Sequence, residues 1–191
     1  MNKELDVDCG WPGADELMRR YHDEEWGVPL HSDQKLFEFM ILDAFQAGLS
    51  WKTVLHKREN FRRAFDNFDV AKIALYDEEK IYQLMQDASI IRNQAKIRAS
   101  VINAQAFLRI QAEFGTFDQY IWQFTGGKTL ANEFKIPSEI PCKSEESDAM
   151  SKDLIKRGFK FVGSTICYSF MQAAGMVNDH IITCHRHKIC K

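Results

Sequence analysis

The sequence predicts an all-α fold built as two helical lobes, and three observations carry that reading. Glycine and proline together supply only 14 of 191 residues, too little turn chemistry for a meander of strands. Apolar residues recur at helical spacing through several long windows. Serine, aspartate and glycine fall where those windows open and close, as helix caps do.

The elements follow in chain order. From Asp33 to Gly48 the run DQKLFEFMILDAFQAG is apolar on nearly every side, which predicts a buried helix ended by Gly48. Ser50 is placed to cap a helix through Trp51, Val54 and Leu55, and RENFRRAFDNF continues the spacing with Phe61, Ala64, Phe65 and Phe68. Asp69 and Asp77 read as caps of two short helices, VAKIAL and EEKIYQLM, and a longer helix spans Gln94 to Phe114. Gly126-Gly127 marks a turn. The stretch from Ile136 to Ser147, IPSEIPCKSEES, holds two of the four prolines and reads as an exposed linker. Beyond it come a helix from Ala149 to Arg157, the connection GFKFVG, and a helix from Ser164 to Ala174 closed by Gly175. Both termini fall outside the helical core. With no internal repeat and 191 residues, one domain over 1–191 is expected.

Composition is that of an ordinary globular chain, 45% hydrophobic and 27% charged, which excludes disorder and collagen-like architecture. No apolar run reaches the ~18 residues a bilayer span needs. The opening Met1-Asn2-Lys3-Glu4-Leu5-Asp6 has no apolar stretch of a secretory leader, so a cytoplasmic location without membrane contact is expected. Formal net charge is −2, which taken whole argues against a nucleic-acid partner. From Lys152 onward, however, seven basic residues stand against two acidic ones, a net of +5 that leaves −7 for the other 151 residues. The average conceals a basic end.

Three groups of residues could carry chemistry. Five cysteines is an odd number in a chain without a leader, so metal binding or inert burial is weighed before disulfides. Cys9 and His22 near the start, with His180 and Cys184 near the end in an H-x3-C pair, form a Cys2His2 set suited to tetrahedral zinc. The alternative is free thiols with surface or core histidines, and Cys190, His185 and His187 compete for the C-terminal places. Cys142 reads as a linker thiol and Cys167 as a helix-core residue. The second group is GFKFVG, where Gly163 opens a helix whose amides could face a phosphate, with Lys156, Arg157 and Lys160 nearby; a plain αα-turn with a solvated basic face is the alternative. The third is an aromatic set, Trp11, Tyr21, Trp26, Phe45 and Trp51, of which Phe45 is most simply core. Asp43 lies on the otherwise apolar stripe Leu36, Met40, Asp43, Ala47. A carboxylate among rings suits a flat cationic guest, whereas pairing with a lysine or capping another helix would make it structural.

The segments CGW (9–11), YHDEEWGVP (21–29), QAGLSW (46–51), RENFRRAF, SKDLIKRGFKFVG (151–163), TICYSFMQAAG (165–175) and VNDH (177–180) together resemble the type I DNA-3-methyladenine glycosylases, over nearly the whole chain. The resemblance implies a helix-hairpin-helix fold, with the hairpin at about 149–175. It implies a structural zinc on Cys9, His22, His180 and Cys184 that tethers residues 9–22 to 180–184. It also implies a monofunctional repair enzyme that flips N3-methylated adenine out of double-stranded DNA, hydrolyses its glycosidic bond and releases free 3-methyladenine, acting as a monomer. Tyr21, Trp26 and Trp51 match the aromatic base pocket, and Lys160, Phe161, Gly163 and Ser164 match the DNA-contacting hairpin. Two positions depart. Met18 stands where many members carry tyrosine, and Asp43 stands where they carry the base-recognising glutamate, which makes Asp43 the expected catalytic carboxylate. Val177-Asn178-Asp179-His180 places Asn178 where many hairpin glycosylases keep a catalytic aspartate, which agrees with reliance on a labile cationic substrate. Two rivals remain: a non-catalytic damaged-DNA-binding module, and a metal-dependent phosphohydrolase suggested by His22-Asp23 and Asp179-His180.

Overall fold

The computed structural model describes residues 8–190, so the stretch 1–6 expected to be leaderless, and Lys191 with its charge, lie outside the described residues. The helices are α1 (Glu16–Glu24), α2 (Asp33–Gln46), α3 (Trp51–Leu55), α4 (Arg58–Ala64), α5 (Val70–Ile73), α6 (Glu78–Gln86), α7 (Gln94–Phe114), α8 (Phe117–Ile121), α9 (Glu145–Lys156) and α10 (Ser164–Ala173). Strictly all-α is corrected in one place. Leu130–Ala131 (β1) and Val177–Asn178 (β2) pair in parallel, with Leu130 opposite Val177, and tie the segment after Gly127 to the chain beyond α10.

The architecture centres on α2. Every residue from Leu36 to Phe45 is buried, because a helix apolar all round must be enclosed, and it packs against α3, α7, α8 and α10. Both of its ends are fixed by charge. At the N-terminus the Asp33 carboxylate accepts from the Phe117 and Asp118 amides, each at 2.9 Å, and so caps α8. At the C-terminus the Lys96 ammonium, on α7, donates to the carbonyls of Phe45 at 2.9 Å and Ala47 at 2.6 Å. A cation is stabilised there by the free carbonyls and the helix dipole.

Caps read from the sequence stand where expected: Ser50, Asp69 and Asp77 each accept the amide three residues on. The run 58–68 is not one helix. It stops at Ala64, and Asp66, Asn67 and Phe68 take left-handed φ of 50°, 54° and 56°, turning the chain so that Phe61, Phe65 and Phe68 all enter the core. VAKIAL is helical only through Ile73. Helix α9 starts four residues earlier than expected, at Glu145, because Ser144 and Ser147 form a reciprocal capping box. That shortens the supposed linker, which contributes a one-turn 3-10 helix at Pro137–Glu139. The sequence reading places no helix at α1 or α8; each opens on an N-cap, Asp15 and Thr116, and α1 buries Met18, Tyr21 and His22 at helical spacing.

The terminal segments lie outside helices yet are packed down: Cys9, Cys184 and Cys190 are all buried. Gly175 makes this possible. At φ +65° it ends α10, and a Cβ there would stand 2.2 Å from the Val28 carbonyl carbon. Without a side chain the loop between α1 and α2 lies flat on the end of α10, where the Gly27 amide donates to the Gln172 carbonyl at 2.9 Å.

Candidate active site

Two sites share the N-terminal elements. In the first, Cys9, His22 (α1), His180 (just beyond β2) and Cys184 converge, with one ligand atom from each lying within 4.8 Å of the others. All four residues are buried. Their tautomers are set from outside. The His22 Nδ1 faces the Asp23 carboxylate at 2.7 Å, which turns Nε2 inward, and His180 Nε2 donates to the Trp26 carbonyl at 2.9 Å, which turns Nδ1 inward. Cys184 Sγ also receives the Arg186 amide at 3.4 Å. The Cys9 thiol donates to Cys184, so Cys9 is pushed up and Cys184 drawn far down from the ordinary thiol value. Two thiols and two imidazoles closed on one another, fixed in this way, could hold a metal ion. The competitors are excluded by their own contacts: His187 bonds the Asn132 carbonyl, His185 faces Asp23, and the Cys190 thiol meets Arg186.

Asp179, paired with His180 in the phosphohydrolase reading, turns away from this cluster. Its carboxylate accepts from Asn132 at 2.7 Å, and from Tyr168 and Gln172 at 2.8 Å each. Asn178 is wholly buried; its amide donates to the His187 carbonyl and its oxygen accepts the His180 amide. It holds the C-terminal turn and presents nothing to a substrate.

The second site is a cavity of about 400 Å³, within the usual range for a ligand pocket. Trp11, Tyr21, Trp26 and Trp51 wall it, Asp43 and Gln46 from α2 form its floor, Ser169 and Gln172 come from α10, and Pro137, Ile140, Pro141 and Cys142 form a strap. The rings brace one another: Tyr21 and Trp51 have centroids 5.1 Å apart, and Trp11 and Trp26 5.2 Å apart. Trp26 is shared with the first site, its ring edge-on to His180 at 4.6 Å.

Three buried polar atoms here have no hydrogen-bond partner among the described residues: Asp43 Oδ2, Trp11 Nε1 and Trp51 Nε1. Asp43 is 2% exposed and neither pairs with a lysine nor caps a helix; Lys96, a buried lysine of α7, binds backbone carbonyls instead. Burial pushes the Asp43 carboxyl well above the ordinary carboxylate value. The neighbouring Tyr21 hydroxyl is pushed up as well, first by burial and then by the Asp43 charge. Buried polar groups are normally satisfied, so two donors and one acid left open on an aromatic cavity mark a place built for a guest.

The expected residues divide accordingly. Tyr21, Trp26, Asp43 and Trp51 meet at the cavity. Met18 does not; it is buried beside a neighbouring groove with Trp11 and Trp51. Gln46, Ser169, Gln172 and the strap were missed from the sequence, and only the isolated Ile140 between prolines hinted that the linker folds inward.

The turn between α9 and α10 lies elsewhere on the surface. Asn103 of α7 holds it, accepting the Lys160 amide at 2.7 Å and donating to the Lys160 carbonyl at 3.0 Å. Lys160 and Phe161 are exposed, Phe161 with a left-handed φ of 56°, and no side chain caps the first turn of α10. Arg157 is not available there: Asp153 and Glu113 hold its guanidinium, which also stacks on Phe114 and Tyr120.

Comparison with known proteins gives a consistent result. The methyladenine glycosylase family matches residues 11–187. DNA-3-methyladenine glycosylase 1 of Escherichia coli (strain K12) is 51% identical over 176 residues, 92% of this chain and 94% of that one. A crystal structure of 3-methyladenine DNA glycosylase I superposes with a TM-score of 0.92 at 47% identity, covering 94% of this chain and 98% of that one. A variant of 3-methyladenine DNA glycosylase I in complex with 3-methyladenine superposes at 0.91 with 32% identity, covering 93% and 96%.

Proposed function

Because the chain belongs to the methyladenine glycosylase family, we propose that the cavity around Asp43 receives an N3-methylated adenine flipped out of double-stranded DNA. The protein is a hydrolase of N-glycosyl bonds that removes 3-methyladenine from DNA. The observation that carries the assignment of the site is the unpartnered Asp43 Oδ2, buried beneath four aromatic rings.

Methylation at N3 makes the attached base cationic. When the bond to C1′ breaks, its electron pair goes to the base, which leaves as neutral 3-methyladenine; water then bonds to C1′ and releases a proton, leaving an abasic site. The leaving group needs no protonation, so the site needs no strong general acid. What the residues supply is selection and field. Tyr21 and Trp51 offer ring faces to the cation, with Trp26 beside them, and the Asp43 carboxylate accepts hydrogen bonds from the edge of the base. The cation in turn stabilises Asp43 in the ionised form that burial otherwise opposes. Asp43 is one methylene shorter than the glutamate of the family pattern, which predicts weaker discrimination between 3-methyladenine and adenine.

The Cys9, His22, His180 and Cys184 set fits zinc. Bonds of ~2.3 Å to sulfur and ~2.0–2.1 Å to nitrogen give tetrahedral edges of about 3.3–3.8 Å. The observed edges include 3.2 Å between the two nitrogens and 3.5 to 3.6 Å between sulfur and nitrogen. Bound there, zinc would supply a closed four-coordinate staple with no open position for reacting water. Through Cys9 and His22 that staple would position Trp11 and Tyr21.

Residues 149–175 serve as the helix-hairpin-helix of a single domain spanning 1–191. Lys160, Phe161, Gly163 and Ser164 meet the phosphate backbone, with the uncapped amides of α10 aimed at it. The protein acts as a monomer on a duplex inside the cell; among the described residues no helix is long and apolar enough to cross a membrane. Incubation with methylated DNA, followed by chromatography of the released bases, tests the reading. Release of 3-methyladenine is expected, whereas tight binding of damaged DNA without base release would assign a damage-binding module instead.

A further inference from the structure

We propose that Cys142 is a covalent modification site at the mouth of the cavity, taking soft thiol-directed electrophiles, and that an adduct there bars entry of the base. The proposal rests on the reading of this cavity as the base site. Of the five cysteines, Cys9, Cys167, Cys184 and Cys190 are buried and Cys142 alone is exposed. Cys142 lines the same cavity as Trp51 and the unpartnered, 2% exposed Asp43.

The thiol is also held in place. Pro137 and Pro141 stiffen the strap before it. Two residues after it the Ser144 and Ser147 capping box fixes the start of α9, with the Ser144 amide donating to Ser147 Oγ at 2.8 Å. The strap therefore keeps Cys142 at the rim, and a group attached to sulfur shares the opening with an incoming purine. Selectivity follows from the other thiols: Cys167 donates to the Val162 carbonyl and is pushed up to about 12 by burial, and Cys9 and Cys184 are engaged with the histidine pair.

The chemistry needs no partner beyond the electrophile. With a maleimide, the Cys142 thiolate adds to the carbon–carbon double bond. One S–C bond forms, the π pair moves to the neighbouring carbon, and that carbon takes a proton from water.

The test treats the full-length, metal-replete protein with N-ethylmaleimide and maps adducts by mass spectrometry. A single adduct on Cys142 is expected, forming about 5-fold more slowly with saturating 3-methyladenine and lowering base release by about 10-fold or more. For Cys142→Ser, treated and untreated samples should show equal base release. A singly modified protein that keeps full activity, an adduct elsewhere, or a labelling rate indifferent to 3-methyladenine would overturn the proposal. Binding of 3-methyladenine to the unmodified protein, read by tryptophan fluorescence, separates the causes. If it fails, the cavity reading falls and this proposal with it; if it holds while protection fails, only the proposal falls.

Discussion

The Cys/His cluster and the aromatic cavity hang on the same short segment, Cys9 to Trp26, and differ in how their polar atoms are used. In the cluster the outward-facing histidine nitrogens are engaged, by Asp23 and by the Trp26 carbonyl, and the four inward atoms face one another. In the cavity Asp43 Oδ2 and the Trp11 and Trp51 N–H groups find no hydrogen-bond partner among the described residues. Both sites are buried, so both would be costly if left as they are. The cluster repays its burial by fastening two ends of the chain 158 residues apart in sequence, as the His22 and His180 contact does. The cavity repays its burial only when a guest arrives. Internal satisfaction marks the part that holds the fold, and its absence marks the part that binds.

The strongest way to break this contrast is to remove a cluster ligand. Cys184→Ala should lose bound zinc and stability together. A cost of ~3 kcal/mol corresponds to a fall in Tm of about 6–12 °C for a chain of this size, read by calorimetry beside metal analysis. Base release by the variant should track its folded fraction. A variant that loses metal yet melts like the parent would put the cluster outside the fold's support.

The same contrast decides what could be read from the sequence. Helix α7 and the caps at Ser50, Asp69 and Asp77 were legible because they rest on local periodicity and on side chains that bond amides three residues away. Asp43 was legible as a misfit, a carboxylate on an apolar stripe. The cluster was only half legible, since H-x3-C is local whereas Cys9 and His22 reach it through the fold, and the resemblance to a family had to close the set. The roles of Lys96, Gln172 and the 137–142 strap were not legible. Lys96 looks like any helical lysine until the end of α2 is placed beneath it, and Pro-flanked Ile140 reads as loop until a cavity exists for it to cover. Arg157 was misread as free charge because Glu113 is distant in sequence.

Asp43 sharpens the comparison from the other side, because a group kept for a ligand should cost stability. Its pKa in the folded protein is raised above the unfolded value, so folding is favoured at low pH and that contribution is lost as pH rises through the folded-state value. Asp43→Asn has no such loss. It should melt a few degrees higher than the parent at pH 8, with the gain shrinking toward pH 4, while base release falls by about 100-fold. Asp43→Glu should increase preference for 3-methyladenine over adenine in free-base binding. Equal melting of Asp43→Asn at both pH values, or unchanged selectivity in Asp43→Glu, would remove the cavity's special status.

The smallest effect belongs to the turn at Lys160, which shares features of both regions. Its backbone is satisfied, pinned on both sides by Asn103, while its ammonium and the α10 amides remain open to solvent. If that open part meets phosphate, Lys160→Glu should weaken binding to all DNA by a similar few-fold factor and reduce the salt slope of binding by about 1. Affinity for free 3-methyladenine should not change, because none of the turn residues Lys160, Phe161, Gly163 and Ser164 lines the cavity. A loss confined to damaged DNA would mean that the turn senses the flipped base, and the separation of backbone grip from base recognition would have to be given up.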